Sequence, residues 1–267
     1  MRGRIARTST LLSSMNISIR SQFAVVPPWL WLVELISVSI FQMTFFVLVV
    51  GISGNNDVGV EYVALGNALQ SVTFVTVYSV CGIPGSEKHG GTLSSIMTTP
   101  SRLFTIFTGK ALFQILAGIF TVAISLTFAT QLFGVSLQHA NLLAVGAIIL
   151  VTTFSMTGFG LMLSSIGLYT RSSTILASLV MYVGLILCGV NFPVSELPAF
   201  LRPLSYLLPL TYGVEGLRKA VSGASVFDLG PILIIMIALG VLALLMANWM
   251  FHIFETMARK RGTLDMF

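Results

Sequence analysis

The chain has 267 residues, of which only 9% are Asp, Glu, Lys or Arg while 55% are hydrophobic, and its mean hydropathy is +0.95. A soluble domain carries about 25% charged residues, so this composition excludes a water-soluble fold and any separate soluble domain. The net charge of +5 flanks apolar runs and forms no patch of its own, which argues against nucleic-acid binding and for a polytopic membrane protein.

Arg2, Arg4 and Arg7 open the chain, but no unbroken apolar core follows them as in a signal peptide. Leu12, Met15, Ile19, Phe23 and Val26 recur at spacings of three and four, with Ser13, Ser14, Asn16, Ser18, Arg20, Ser21 and Gln22 on the other faces. Residues 1–28 therefore read as an interfacial amphipathic helix lying on the cytoplasmic membrane surface. Pro27-Pro28 stops it and turns the chain into the bilayer.

A spanning helix needs about 20 apolar residues, and six stretches qualify. They run from about Trp29 to Ile52, Glu61 to Ile83, Leu103 to Phe133, Leu142 to Tyr169, Thr174 to Val190 and Pro231 to Phe254. Gly158, Gly160, Ser164 and Ser165 give the fourth span a surface of small residues that permits close helix approach. Of the 14 basic residues, eleven fall on one side: Arg2, Arg4, Arg7, Arg20, Lys88, Arg102, Lys110, Arg171, Arg259, Lys260 and Arg261. Only Arg202, Arg218 and Lys219 fall on the other, so both termini are expected in the cytoplasm. Glu34 and Lys110 penetrate furthest among the ionisable residues, yet shallowly enough to snorkel to the interface. Cys81 and Cys188 lie in apolar stretches and read as small apolar filler.

Two polar segments interrupt the spans. Residues 85–102, on the cytoplasmic side, place Glu87, Lys88 and His89 before Gly90-Gly91. A short helix is expected from about Thr92, with Leu93, Ile96 and Met97 on one face and Pro100 at its end. It reads either as a docking element for a soluble partner or as a solvated loop resting on headgroups. Residues 191–229, on the outer side, are too apolar for a solvated loop. Leu197, Phe200, Leu201, Leu204, Leu207 and Leu208 keep a helical period that Pro193, Pro198, Pro203 and Pro209 interrupt. A broken hairpin re-entering the outer leaflet fits, provided protein shields its backbone; a helix pair on the outer surface is the alternative. Glu215 and Lys219 are four apart and suited to pair.

No Gly-x-x-x-x-Gly-Lys-Ser/Thr loop and no Gly-x-Ser-x-Gly elbow occurs. His89, His139 and His252 are lone residues without metal-ligand company. The chain is expected to carry no catalytic site, no metal and no bound cofactor.

Taken together, these features resemble the membrane (permease) subunit of a type-two ATP-binding-cassette exporter. The run from Glu87 to Leu93 with Thr98-Thr99-Pro100 is similar to that family's coupling-helix region, with one residue more than expected before Gly-Thr-Leu. Phe192-Pro193, Leu197-Pro198, Leu208 to Tyr212 and Leu217-Arg218 are similar to its re-entrant extracellular helices. The pattern looks nearer the drug-exporter and nodulation-factor branch than the O-antigen branch. The resemblance implies an all-α polytopic fold with residues 1–267 as a single permease domain in the prokaryotic cytoplasmic (inner) membrane. It implies export of a hydrophobic or amphipathic substrate (drug, antibiotic or lipid-like), with ATP and Mg bound by a separate nucleotide-binding subunit. A second permease copy, as homodimer or heterodimer, is implied as well. Glu87, Lys88, His89, Gly90, Gly91, Thr92, Leu93, Ile96 and Met97 would couple to the ATPase; Pro193, Pro198, Pro209, Tyr212, Glu215 and Arg218 would form the outer gate. The alternatives are a permease for a lipid-linked glycan or polysaccharide, and a self-contained secondary transporter, for which no midplane carboxylates are in place.

Overall fold

The computed structural model describes residues 11, 13–20, 22–23, 26–53, 59–99, 101–169 and 173–261, and every regular element among them is helical. Arg2, Arg4, Arg7, Leu12, Ser21, Pro100 and Arg171 lie outside the described residues, as do the side chains of Arg259, Lys260 and Arg261.

Helix α1 (Pro28–Ser53) starts where the proline pair requires. The Pro27 carbonyl accepts from the Leu30 amide at 3.0 Å and the Trp31 amide at 3.2 Å, so Pro28 takes the first helical position, where a missing N–H costs nothing. The second apolar stretch overruns its expected end at Ile83. Helix α2 (Val60–Thr73), a π turn at Phe74–Tyr78 and α3 (Ser79–His89) form one continuous rod. Pro84 lies inside α3; its fixed φ is helical, and Lys88 and His89 in the last turn suit the negative end of the helix dipole.

The remaining elements are α4 (Thr92–Thr98), α5 (Leu103–Phe133), α6 (Leu142–Gly167), α7 (Ser173–Leu187), a 3-10 turn at Val194–Glu196, α8 (Arg202–Ser205), α9 (Pro209–Val221) and α10 (Gly230–Arg261). Asn141 caps α6 by accepting from the Ala144 amide at 3.2 Å. Five helices are long and apolar enough to cross a membrane: Pro28–Ile52, Val60–His89, Leu103–Phe133, Leu142–Gly167 and Gly230–Met257. The expected fifth span, Thr174 to Val190, corresponds to the shorter α7. Its 15 residues rise about 22 Å, because the chain breaks out of the helix before Gly189, whose φ is +69°.

Burial separates inner from outer helices. The apolar window of the Val60–His89 rod is 83% buried, whereas those of α1 and α10 are 22% buried and face outward. Helix α6 is the hub of the bundle. It crosses α10 where a Cβ on Gly158 would meet the Gly240 carbonyl at 2.8 Å and where Ser155 Oγ donates to the Met236 carbonyl at 2.8 Å. This is the close approach expected of small residues on that span.

Helix α9 runs antiparallel beside α6. The Asn141 amide donates to the Ala220 carbonyl at 3.0 Å. Deeper in the bundle, Gly216 faces Ile148 and Gly213 faces Thr152. From Asn141 to Thr152 is about 16 Å along α6, so Pro209, at the start of α9, sits well inside the bundle.

The N-terminal segment, helical over 13–20, packs on α5 in an unexpected orientation. Ser14 is buried, and a Cβ on Gly109 would meet its Cβ at 2.7 Å. Ser18 and Gln22, on the same stripe, line a cavity. Ser14, Ser18 and Gln22 therefore turn towards protein, Met15, Ile19 and Phe23 are half-buried, and Ser13, Asn16, Ile17 and Arg20 are exposed. The reason is steric: a serine fits against Gly109 where a larger residue does not.

Candidate functional site

At the end of the bundle that carries α4, Glu87 in the last turn of α3 joins three helices. Its Oε1 pairs with Lys110 Nζ of α5, and its Oε2 accepts from Thr92 Oγ1, the first residue of α4. The two charged side chains retain only 11% (Lys110) and 14% (Glu87) exposure. A pair so enclosed holds its geometry far better than one in open solvent. The turn between α3 and α4 runs through both glycines and requires Gly91. Gly90 closes α3 through its amide to the Ser86 carbonyl at 2.9 Å, and Gly91 adopts φ +65°, a left-handed conformation that favours glycine. The additional residue before Thr92 is thereby absorbed, and α4 begins at Thr92.

The other residues expected to couple to a partner have separate roles. Lys88 Nζ donates to the Leu168 carbonyl at 2.8 Å and the Gly167 carbonyl at 3.3 Å, capping the end of α6. His89 Nδ1 lies 2.6 Å from the Gly85 carbonyl. Leu93 and Met97 are buried in an apolar cluster with Leu103, Phe107 and Phe251, and Ile96 packs against that cluster. The side of α4 left exposed carries Thr92, Ser94, Ser95 and Thr98. Thr99, which precedes Pro100, is extended at ψ 152° and ends the helix. Glu255 of α10 accepts from the Leu103 amide at 2.9 Å, fixing the start of α5.

At the opposite end the expected gate residues do not converge. Pro193 leads into the 3-10 turn and Pro198 precedes α8, while Pro209 occupies the buried first position of α9. The Tyr212 ring lies 6.1 Å from that of Tyr206. Glu215 pairs with Lys219 at 2.6 Å on an exposed face. Arg218 turns inward instead. Its Nη1 donates to the Gly189 carbonyl at 2.9 Å; its Nη2 donates to the Tyr62 carbonyl at 2.9 Å and the Val190 carbonyl at 3.0 Å. The guanidinium carbon stands 3.3 Å from the Tyr62 ring centroid. Asn67 adds a bond to Asn191 Oδ1 at 2.7 Å.

Together these contacts fasten the 189–191 corner and α9 to the top of α2. Sequence reading missed Tyr62, Gly66, Asn67 and Asn191. Gly66 is required because a Cβ there would lie 2.1 Å from the Val190 carbonyl. Its signal was available: Gly66 and Asn67 are poor choices for a lipid-facing helix.

A family model described as ABC-2 type transporter matches residues 16–222, a range that includes both ends just described. The chain belongs to the ABC-2 type transporter family. Over 160 residues the ABC-2 chain is also 24% identical to a protein named probable multidrug ABC transporter permease YbhR from Escherichia coli K12, and equally to its counterpart in Escherichia coli O157:H7. That alignment covers 59% of this chain and 43% of the length of those relatives. Two cavities flank Glu87 and Lys110 in the ABC-2 chain. One of about 380 Å³ lies towards α1, and one of about 830 Å³ lies between the N-terminal segment and α4. Among the described residues no group of His, Cys, Asp or Glu is arranged to hold a metal.

Proposed function

We propose that this chain is the permease subunit of an ATP-binding-cassette exporter, working as a pair of permeases with a nucleotide-binding subunit docked under each α4. The observation that carries this reading is the tether at Glu87. Helix α4 is bound to α3 through the Gly90-Gly91 turn and the Thr92–Glu87 bond, and Glu87 in turn pairs with Lys110 of α5, while Ser94, Ser95 and Thr98 stay open to a partner. A push on α4 is thus delivered to two long helices at once. Closure of two ATP-bound partner subunits on each other rocks the permease pair from inward- to outward-facing; a full population switch needs about 5.5 kcal/mol of differential stabilisation.

The architecture supports six crossings with both termini in the cytoplasm. Helix α7 serves as the fifth crossing, and the 191–229 hairpin re-enters the outer leaflet beside it. The packing of α9 down α6 to Thr152 favours re-entry over a helix pair lying on the surface. So do the bonds that satisfy the hairpin's carbonyls: Thr211 Oγ1 to Ser205 at 2.6 Å, and Arg202 to Leu197 at 2.9 Å and Ser195 at 2.6 Å. The cargo proposed is hydrophobic or amphipathic, of the drug, antibiotic or lipid-like kind, leaving across the cytoplasmic membrane.

The test is co-expression with a candidate nucleotide-binding subunit, purification, and ATP hydrolysis with and without Glu87→Ala. Co-purification with turnover lost or uncoupled in the variant supports docking at α4. A chain that captures no nucleotide-binding subunit refutes the proposal. A Ser95→Cys variant, cross-linking to the ATPase only in the intact complex, locates the contact.

A further inference from the structure

The cavity of about 380 Å³ at the α4 end lies between the N-terminal segment, α1, the π turn and α5. Its charges do not balance. Glu87 and Lys110 at its base neutralise each other, but Glu34 of α1 also lines it and has no ion-pair or hydrogen-bond partner among the described residues. Among the described residues one net negative charge remains, on a carboxylate that is itself exposed. Gln114 reaches the same space from α5. The residue is only 5% exposed, and its amide, which is open to the cavity, has no partner among the described residues.

The apolar wall is aromatic. Trp31 lines it from α1, and Phe74 and Tyr78 stack with centroids 5.3 Å apart and planes at 11°. Phe74 and Tyr78 are the first and last residues of the π turn. Such turns inside α-helices occur frequently at functional sites. On its far side the turn is tightly supported, since a Cβ on Gly160 would meet the Thr76 carbonyl at 2.8 Å.

We propose that this cavity binds the head of an amphiphile carrying one positive charge, with Glu34 as its counter-charge and Trp31, Phe74 and Tyr78 as its aromatic enclosure; this rests on the permease reading above. Aromatic faces attract cations, and the volume falls within the range of small-molecule sites, about 300–1,000 Å³. A head with no cationic group gains nothing from Glu34, and a purely anionic head is repelled by it. Gln114 supplies a hydrogen bond that a polar head group can use. The cation can come from a free amphiphile or from the ammonium of a phospholipid headgroup.

The probe is tetraphenylphosphonium, with tetraphenylborate as the near-isosteric anion. Binding is measured by equilibrium dialysis on the full chain alone in dodecyl maltoside. Glu34→Gln is expected to weaken tetraphenylphosphonium binding about tenfold or more, and Glu34→Asp to restore most of it. Tetraphenylborate binds at least about tenfold more weakly than the cation. Trp31→Leu, which keeps the wall apolar but removes a π face, weakens cation binding severalfold and provides a second variant should Glu34→Gln aggregate. Phosphatidylethanolamine competes and phosphatidylglycerol does not if the occupant is a headgroup; neither competes if it is a free cation. Equal binding by wild type and Glu34→Gln, or equal binding of cation and anion, overturns the inference. Because no ATPase is present, cation binding without later ATPase capture sinks the permease reading and leaves the site standing. ATPase capture without cation binding does the reverse.

Discussion

Breaking the Glu87–Lys110 pair from one side should cost more than removing it whole. Two unit charges in contact attract by about 4 kcal/mol at an effective dielectric of about 20, and desolvation cancels part of that gain. Removing one partner of a fully buried pair costs about 3–5 kcal/mol. Here each side chain keeps a little exposure, 11% for Lys110 and 14% for Glu87, and cavities lie to either side. We therefore expect Lys110→Met to destabilise the chain by about 2 kcal/mol, since Glu87 is left charged in a confined space. Glu87→Gln should cost about as much, because it strands the lysine and weakens the bond from Thr92. The double variant should cost no more than about 1 kcal/mol, giving a coupling energy of about 3–4 kcal/mol. Unfolding by SDS in mixed micelles, followed by circular dichroism, measures all four corners of the cycle. Additive losses, with coupling below about 0.5 kcal/mol, would refute the argument that this pair ties α3 to α5.

Gly66→Ala should destabilise the chain by about 1–3 kcal/mol or more, because its Cβ would stand 2.1 Å from the Val190 carbonyl; unchanged SDS unfolding would contradict that geometry. Arg218→Lys keeps the charge but not the fork that serves three carbonyls, so a loss of about 2 kcal/mol is expected, with new proteolytic cleavage near Gly189 as its readout. Lys88→Met removes the cap on the Gly167 and Leu168 carbonyls and should cost about 1 kcal/mol, seen as faster hydrogen exchange at the end of α6. The Ser225 hydroxyl and amide hold the Asp228 carboxyl below its ordinary value. The stabilisation this gives is present above the unfolded carboxylate value and is lost as pH falls through the lowered one. Ser225→Ala should therefore raise the Asp228 midpoint in a carbon-13 NMR titration, and an unmoved midpoint would rule out the hydroxyl as a cause.

The apolar runs and their punctuation were legible residue by residue. Pro27-Pro28 marks the start of α1, the third span runs from Leu103 to Phe133 as the helix does, and Gly90-Gly91 marks the turn into α4. These are local effects of proline, glycine and apolar length, and local effects are written in order along the chain. Partners distant in sequence were not legible. Lys110 read as a snorkelling charge, yet it meets Glu87 of another helix. Arg218 read as a gate residue, whereas its partners lie up to 156 positions away. Ser14, Ser18 and Gln22 read as part of the polar side of an interfacial helix; a glycine on α5 and a cavity receive them, while Ser13, Asn16 and Arg20 of that side are exposed. The π turn leaves no periodicity that a sequence can show, since one widened turn shifts the pattern by a single residue.

The rod from Val60 to His89 has a mechanical consequence. It is about 45 Å long at 1.5 Å per residue, with the Arg218 fastening beside Tyr62 at one end and the Glu87 junction at the other. A displacement of α4 reaches the hairpin corner through one piece of backbone, without crossing a sliding joint between helices. Slack in such a linkage can enter where the winding is interrupted, at the Phe74–Tyr78 turn and at Pro84. Under the coupling proposed for α4, the two ends move together, and the stiffness of those two places sets how much of the stroke arrives.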